Sequence, residues 1–242
     1  DYTPRKLNKK IDENKYYLRE DNSNNYVVEK FIKKPIKMKD TELFSKNSND
    51  KVIKWLFEHQ DKLQYSCLSQ NLNNKALEFL LKNHEDKINF YSLSCNNSDK
   101  AVEYLLKNEE KIIYDFFAEN PNDKAVDWMI NFYKDEDHMF DEFSFNKNDK
   151  AVDWLFEHPD KIDYEYFSGN TNEKEIDWLL QNPEKIDCKY FSKNTNDKAV
   201  EWLFKHPEKI EYEYFSENPN NKAVEWLIQH PDKIEDNEFR TK

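Results

Sequence analysis

Residues 204–226 read FKHPEKIEYEYFSENPNNKAVEW, and residues 156–178 read FEHPDKIDYEYFSGNTNEKEIDW. The two segments are copies of one sequence repeat, and related copies fill most of the 242-residue chain. Taking the lysine of the NDKAV motif as the anchor, with Tyr26 in its place in a worn first copy, successive anchors are 25, 24, 25, 24, 26, 24, 24 and 24 residues apart. A fixed period of this length is typical of solenoids, in which each repeat packs on its neighbours. The anchor lysines are Lys51, Lys75, Lys100, Lys124, Lys150, Lys174, Lys198 and Lys222.

Two polar columns precede each anchor. Two residues before it every copy has Asn or Ser, which cap helix N-termini by accepting a backbone N–H. Four residues before it every copy has Asn, which indicates either a left-handed backbone or an amide that must both donate and accept. Since Gly169 is the only glycine, the sequence favours Asn in the role that Gly usually has at helix ends. We predict a structural ladder of Asn47, Asn71, Asn96, Asn120, Asn146, Asn170, Asn194 and Asn218.

The residues after each N-cap predict a short helix with a wide apolar arc, as in residues 198–204 (KAVEWLF). An arc this wide indicates a helix packed on both flanks, and all six tryptophans occupy one column of it, which we predict to be core. The helix ends at His or Asn followed by Pro, and the following segment, PDKIDYEYFS in residues 159–168, is compatible with a second helix or a strand.

Leucine-rich repeats have a similar length, but they require an apolar residue five positions before their asparagine. In this chain that column holds residues such as Asp115, Glu165 and Lys189, so we reject the horseshoe fold. The sequence therefore predicts an all-α fold, an α-solenoid of about nine repeats of about 24 residues. Each repeat would contain two short helices, the second possibly 3₁₀.

The predicted organisation is an N-terminal flank or degenerate cap over residues 1–21 and a helical solenoid over residues 22–242. The solenoid would continue beyond the given sequence or end in a partial repeat. The chain begins with Asp1 rather than Met and ends within a copy of the repeat, which suggests a fragment.

The repeat frame, F/L-S-x-N-x-N followed by W-L and H/N-P-D/E-K-I, resembles the short Asn-Pro repeats of giant DNA viruses that infect amoebae. The resemblance covers roughly residues 22–242, and AENPN (118–122) and SENPN (216–220) match it most closely. Pro follows the ladder asparagine only at Pro121 and Pro219, which departs from that family's pattern. More distantly, the period is similar to that of the leucine-rich-repeat-variant family, whose units pair an α-helix with a 3₁₀-helix. Both resemblances imply an α-solenoid, and neither implies a chemistry.

The sequence contains no arrangement that predicts a catalytic residue, a metal site or a cofactor. The histidines share one column with asparagines, and stacked repeats about 8–10 Å apart are too distant to supply zinc ligands at about 2 Å. We interpret this column as helix caps. The anchor lysines have acids one residue before or three after them, which favours local ion pairs on a solvated face. The column is His59, His158, His206 and His230, with Asn83, Asn108 and Asn182.

The net charge of −12 disfavours binding to nucleic acid. Three widely spaced cysteines indicate a reducing, intracellular setting, and the resemblance to the viral repeats implies either a host cytoplasm or a virion. No apolar run predicts a membrane span. We expect a non-enzymatic scaffold that binds protein and no small-molecule substrate. The alternative is a structural virion or capsid-associated component of a giant virus.

A partner should contact columns that vary between copies, because packing fixes the others. The freest columns lie five and three residues before the anchor, on both sides of the ladder asparagine, and we expect them to line one ridge. Phe145 stands out because it is a large apolar residue in a mostly polar column beside a two-residue insertion; it would either bind a partner or pack against that insertion. The predicted protein-binding residues are Phe145, Lys147, Glu119, Lys193 and Glu217.

Overall fold

The computed structural model describes residues 41–133 and 141–233, and these contain fifteen α-helices and no strand. The all-helical class is therefore confirmed, and the strand interpretation of the second segment is wrong. The predicted flank over residues 1–21, the worn copy around Tyr26 and the insertion itself lie outside the described residues. The chain divides into two compact units, Asp1–Ile113 and Tyr114–Lys242, which are described separately below.

In the first unit, longer and shorter helices alternate. The helices are α1 (Thr41–Lys46), α2 (Asp50–Glu58), α3 (Tyr65–Ser69), α4 (Asn74–Asn83), α5 (Phe90–Ser94) and α6 (Asp99–Leu106). Single 3₁₀ turns follow the longer helices, at Gln60–Lys62, Glu85–Lys87 and Glu109–Lys111. Short helix α3 contacts both α1 and α5, and longer helix α4 contacts α6. Short helices therefore pack on short helices, and longer helices on longer ones.

The second unit continues the alternation. Its helices are α7 (Tyr114–Ala118), α8 (Asp123–Tyr133), α9 (Asp149–Glu157), α10 (Tyr164–Gly169), α11 (Glu173–Gln181), α12 (Cys188–Lys193), α13 (Asp197–Lys205), α14 (Tyr212–Phe215) and α15 (Asn221–Gln229). The 3₁₀ turns are Pro159–Lys161, Pro183–Lys185 and Pro207–Lys209, and a further 3₁₀ segment, Glu142–Phe145, takes the place of a short α-helix. The longer helices α9, α11, α13 and α15 contact one another in order, as do the short helices α10, α12 and α14.

The start of each longer helix follows from the Asn or Ser two residues before the anchor. Oδ1 of Asn196 accepts the backbone N–H of Lys198 at 2.8 Å, and Oδ1 of Asn148 accepts that of Lys150 at 2.8 Å. These bonds satisfy one of the N–H groups that a helix leaves free at its first turn. The N-cap prediction is confirmed.

The end of each longer helix follows from the His or Asn column. Nδ1 of His206 lies 2.9 Å from the carbonyl oxygen of Trp202, and Nδ2 of Asn182 donates to the carbonyl oxygen of Trp178 at 2.8 Å. Because a carbonyl oxygen can only accept, Nδ1 of the histidine carries the proton. The capping interpretation is confirmed.

The second segment of each repeat is not one helix but two pieces. Pro207 begins a three-residue 3₁₀ turn, and Ile210 then adopts an extended backbone with φ −76° and ψ 118°. This extended residue breaks the helix before α14 begins at Tyr212. The side chain of Ile210 is buried at the break, so the core column continues through it.

The fully buried aromatic column is phenylalanine, not tryptophan. Phe191 in α12 is completely buried, whereas Trp202 in α13 is only half-buried. The rings of Trp202 and Phe191 are perpendicular, with 5.7 Å between centroids, and Trp202 stacks on His206 at 4.1 Å. The prediction that the tryptophans form the core is therefore corrected: they cover it. The buried phenylalanines are Phe44, Phe117, Phe143, Phe167, Phe191 and Phe215.

Candidate protein-binding groove

The turns between short and longer helices are held by the ladder asparagines. Asn194 is buried, and its Nδ2 donates to the carbonyl oxygens of Ser168 at 2.9 Å and Asn170 at 2.6 Å, both in the preceding repeat. Its Oδ1 accepts the N–H of Asn196 at 2.9 Å within its own turn. Each amide therefore donates backwards along the chain and accepts locally. The same pattern is present at Asn71, Asn96, Asn146, Asn170 and Asn218.

The left-handed alternative for this column is wrong. No residue in the described part of the chain has a positive φ, and Asn194 has φ −63° and ψ 124°. Gly169 likewise does not use its freedom to adopt positive φ. The column requires asparagine for the donor and acceptor geometry of its amide, which neither Asp nor Ser reproduces.

In most of the described repeats a buried serine of the short helical segment joins two neighbouring repeats. Oγ of Ser168 accepts the N–H of Asp187 at 2.9 Å, and Oγ of Ser192 accepts the N–H of Glu211 at 3.0 Å. Ala118 occupies this column in α7 and has no hydroxyl, and the residue that would donate to it lies outside the described part of the chain. The serine column was missed in the sequence, although seven of eight copies keep it after the worn one.

The anchor lysines also join repeats, which corrects the expectation of local ion pairs. Nζ of Lys198 lies 2.6 Å from Oδ1 of Asp177 and 2.8 Å from Oε2 of Glu173, both in the preceding repeat. Asp197, the acid beside this lysine in sequence, instead pairs with Lys222 of the following repeat at 2.8 Å. The side chains reach backwards because each acid near the N-terminus of a longer helix lies next to the lysine of the following repeat.

The variable turn columns of the second unit line a groove and not a ridge. The groove has a volume of about 410 Å³ and brings together four of the five predicted binding residues. Glu217 is not among the residues that line it; its carboxylate pairs with Lys193 at 3.0 Å. The lining residues are Glu119, Phe145, Lys147, Tyr166, Gly169, Thr171, Tyr190, Lys193 and Thr195.

The floor of the groove is aromatic and depends on the single glycine. A Cβ at Gly169 would lie 3.1 Å from Cε2 of Phe145 and 3.5 Å from Cδ1 of Tyr190. The absence of a side chain thus lets the half-buried Phe145 ring lie against α10. The rings of Tyr166 and Tyr190 follow at 6.0 Å between centroids. Gly169 is required for close approach, and not for its backbone conformation.

The charged rim of the groove is mixed. Burial, and then the negative charge of Glu142, raise the pKa of the Glu119 carboxyl, while Lys147 acts in the opposite direction. Nζ of Lys147 lies 5.7 Å from the centre of the Phe145 ring, within the range of a cation–π contact. Nζ of Lys193 lies 4.7 Å from the ring of Tyr214 besides pairing with Glu217.

The contact between Gly169 and Phe145 makes a prediction about stability. Gly169→Ala should be nearly neutral or slightly destabilising in the parent chain, because the gain in helix propensity is offset by the displaced Phe145 ring. In a Phe145→Ala background the same change should stabilise by about 0.5–1 kcal/mol. Urea unfolding of the four proteins of this double-mutant cycle measures the coupling. Equal effects of Gly169→Ala in both backgrounds would contradict the contact.

The equivalent columns of the first unit line a smaller depression of about 260 Å³. Here the turn residues are mostly polar, and Leu72 is the apolar one. The aromatic floor is therefore specific to the second unit in the described residues. Tyr166 and Tyr190 were missed in the sequence because they follow the core pattern of their helices. Their column, eight before the anchor, also contains Cys67 and Ser92, and this variability was a signal in the sequence that packing does not fix the residue type there.

One buried carboxyl group lies outside the groove. Glu175 in α11 is completely buried, and neither of its carboxylate oxygens has a hydrogen-bond partner. Burial raises its pKa well above the usual 4.5. In the other described copies this column contains alanine, which is fully buried, except at Val52, which is almost fully buried. Glu175 is thus an ionisable residue in an alanine site.

The described residues contain no group of three or more His, Cys, Asp or Glu side chains placed to hold a metal ion. None of the described helices is both long enough and apolar enough to cross a bilayer. Cys67, Cys95 and Cys188 form no disulfide bond in the described part of the chain.

Comparison of the chain with protein-family models, with curated proteins and with solved structures gave no significant match. The resemblance to the viral Asn-Pro repeats therefore rests on the repeat motif, and it stays a hypothesis.

Proposed function

We propose that this chain is an α-solenoid of about nine repeats and that it acts as a non-enzymatic scaffold. In this proposal the aromatic groove of the second unit binds another protein. The single observation that carries the proposal is that the groove is lined by the columns that vary between copies. The asparagines and serines whose buried hydrogen bonds hold the repeats together are in other columns.

The solenoid is supported by the way each unit is joined internally. Within each unit, a ladder amide bonds to carbonyl groups of the preceding repeat, as Asn71 does to Ser45 and Asn47, and Asn218 to Ser192 and Asn194. Bonds that connect each repeat with its neighbour are the organising feature of solenoids. Both units use the same bonds at the same period, which supports the same repeat architecture within each of them.

A protein partner is supported by the chemistry of the groove. Its floor consists of the rings of Phe145, Tyr166 and Tyr190, and hydroxyls and charges of Thr171, Lys147 and others surround them. Interfaces between proteins commonly combine aromatic residues at the centre with a polar rim. Nucleic acid is disfavoured by the net charge of −12.

The test of this proposal is the Phe145→Ala variant. Removing the ring deletes the centre of the floor, so we expect at least a tenfold loss of affinity for the partner, the usual effect at a binding hot spot. The melting temperature should fall by only a few degrees, since Phe145 is half-buried and its ring covers one side of Gly169. Quantitative capture of the partner on immobilised protein, followed by calorimetry, gives both values.

The matched control is Ile228→Ala, which removes an apolar side chain that is 73% exposed and does not line the groove. This variant should capture the partner as the parent does. If Phe145→Ala and Ile228→Ala bind equally well, the groove is not the binding site and the proposal fails.

A further inference from the structure

We propose that the segment bound in the groove is basic, with an arginine or lysine side chain placed on the rings of Phe145 and Tyr166 beside the carboxylate of Glu119. This inference rests on the proposed function and specifies the partner of the same groove. It follows from three observations on the groove, which concern an unpaired carboxylate, a lysine that already lies on the floor, and the charges around the aromatic rings.

The first observation is the state of Glu119. The Glu119 side chain is exposed at the rim of the groove, its carboxyl lies near Glu142, and it forms no ion pair with another described residue. A carboxylate close to a second negative charge gains from an added cation. Glu119 therefore provides the groove with an acceptor whose charge is not compensated by a direct partner.

The second observation is the position of Lys147. Its ammonium lies over the Phe145 ring and is close enough to Glu119 to oppose the rise of that carboxyl's pKa. This lysine is exposed and lines the space that a ligand would use. The chain itself thus places a cation between a ring face and a carboxylate in this groove. A guanidinium from a partner could form the same contacts with better geometry, because it is planar and stacks on aromatic rings.

The third observation is the charge around the floor. The ring of Tyr166 lies near Glu142, Asp141 and Asp163, whose charges add to the effect of burial in raising the pKa of its hydroxyl. At the other end, the charge of Lys193 is compensated by Glu217 at 3.0 Å. With a net charge of −12 on the whole chain, a basic segment is attracted at long range and an acidic segment is repelled.

The experiment uses the full chain and three fluorescein-labelled peptides. The first peptide has arginines on both sides of a leucine, and the other two replace the arginines by glutamines or by glutamates. Fluorescence anisotropy at low ionic strength should show the arginine peptide binding about tenfold more tightly than the glutamine peptide. This preference should weaken as salt is added, because part of the site is exposed.

Two charge variants then distinguish a basic partner segment from an acidic one, because each variant should change the two affinities in opposite directions. Glu119→Gln should weaken binding of the arginine peptide about fivefold or more, since the paired charge is lost. Lys147→Ala should strengthen it about twofold to fivefold, because a competing cation is removed from the floor. Lys205→Ala, an exposed lysine outside the groove, is the control and should leave binding unchanged.

The inference is overturned if the glutamate peptide binds best or if Lys147→Ala weakens binding; the groove would then select acidic segments, and the proposed function would stand. It is also overturned if no peptide binds, and the proposed function is then judged by the capture experiment alone. If peptides bind Phe145→Ala and Ile228→Ala equally well, binding occurs elsewhere, and both the inference and the use of this groove fail.

Discussion

The Glu175→Ala variant is expected to be more stable than the parent chain, by about 2 kcal/mol at pH 4.5 and by more at neutral pH. The buried carboxyl has no hydrogen-bond partner, and leaving a polar group buried and unsatisfied costs about 1–3 kcal/mol. Alanine is fully buried at the equivalent position of neighbouring copies, for example Ala151 and Ala199, so this site accepts it.

The pH dependence of this gain follows from the direction of the pKa shift. Because burial raises the pKa of Glu175 above its usual 4.5, the folded chain holds a proton at pH values where the unfolded chain has released it. Over that window the stability of the parent falls as pH rises, by up to about 1.4 kcal/mol per pH unit. The difference between Glu175→Ala and the parent should therefore grow from pH 4.5 upwards. Urea unfolding at several pH values measures it.

Two variants separate the charge of Glu175 from its shape. Glu175→Gln keeps the size but does not titrate, so its stability should lack this pH-dependent loss. Glu173→Ala removes an exposed acid on the same helix, whose pKa is lowered mainly by the hydrogen bond from Lys198. The parent's Glu173 therefore stabilises above pH 4.5 and loses that effect as pH falls, which is the opposite slope. A Glu175→Ala variant less stable than the parent at pH 7 would show that the carboxyl has a partner.

Replacing Asn194 by alanine is expected to lower the free energy of unfolding by about 3 kcal/mol. The change leaves the carbonyl groups of Ser168 and Asn170 and the N–H of Asn196 without the amide that satisfies them. Each unsatisfied buried group costs about 1–3 kcal/mol, and water that enters the vacated space reduces the sum. The melting temperature should fall by about 6–12 °C.

A second substitution at Asn194 separates the effect of hydrogen-bond donation from the effect of side-chain size. Asn194→Asp has nearly the same shape, but a carboxylate cannot donate to the two carbonyl oxygens and brings a negative charge towards them. It should be at least as unstable as Asn194→Ala at pH 7. The control is Ser98→Ala, an N-cap whose hydroxyl accepts the N–H of Ala101 at 3.3 Å within its own helix and whose loss should cost about 1 kcal/mol. If Asn194→Ala costs no more than this control, the buried ladder does not hold the repeats together.

Much of the fold could be predicted because the repeats show which residue types each position accepts in several copies. The N-cap at Asn196 and the helix end at His206 followed from the residue types that those columns accept. The break at Ile210 could not be predicted in this way, since an apolar residue fits a helix, a strand or an extended link equally well. Only packing of Ile210 into the core decides among them.

The binding residues were predicted in part for the same reason. Variation between copies identified Glu119, Phe145, Lys147 and Lys193, which line the groove together. It could not indicate that their surface is concave, because concavity depends on the Phe145 ring lying over Gly169. The burial of Glu175 was likewise overlooked, although a charged residue in an alanine column was visible in the sequence.

The reach of the ladder bonds determines how such a molecule can change its length. Every bond that a ladder amide donates through Nδ2 joins residues 24 to 28 positions apart, so no ladder bond extends beyond the neighbouring repeat. Duplication or loss of one whole copy in the gene would recreate the same joint between the copies that become neighbours, and folding would still proceed through local contacts. The ladder also tolerates small changes in repeat length, because the bond from each amide to the preceding ladder residue spans 24 residues at Asn71, 25 at Asn96 and 26 at Asn146. Within each unit, whole repeats can therefore be gained or lost, and short insertions can be accepted, without loss of the bonds that join neighbouring repeats.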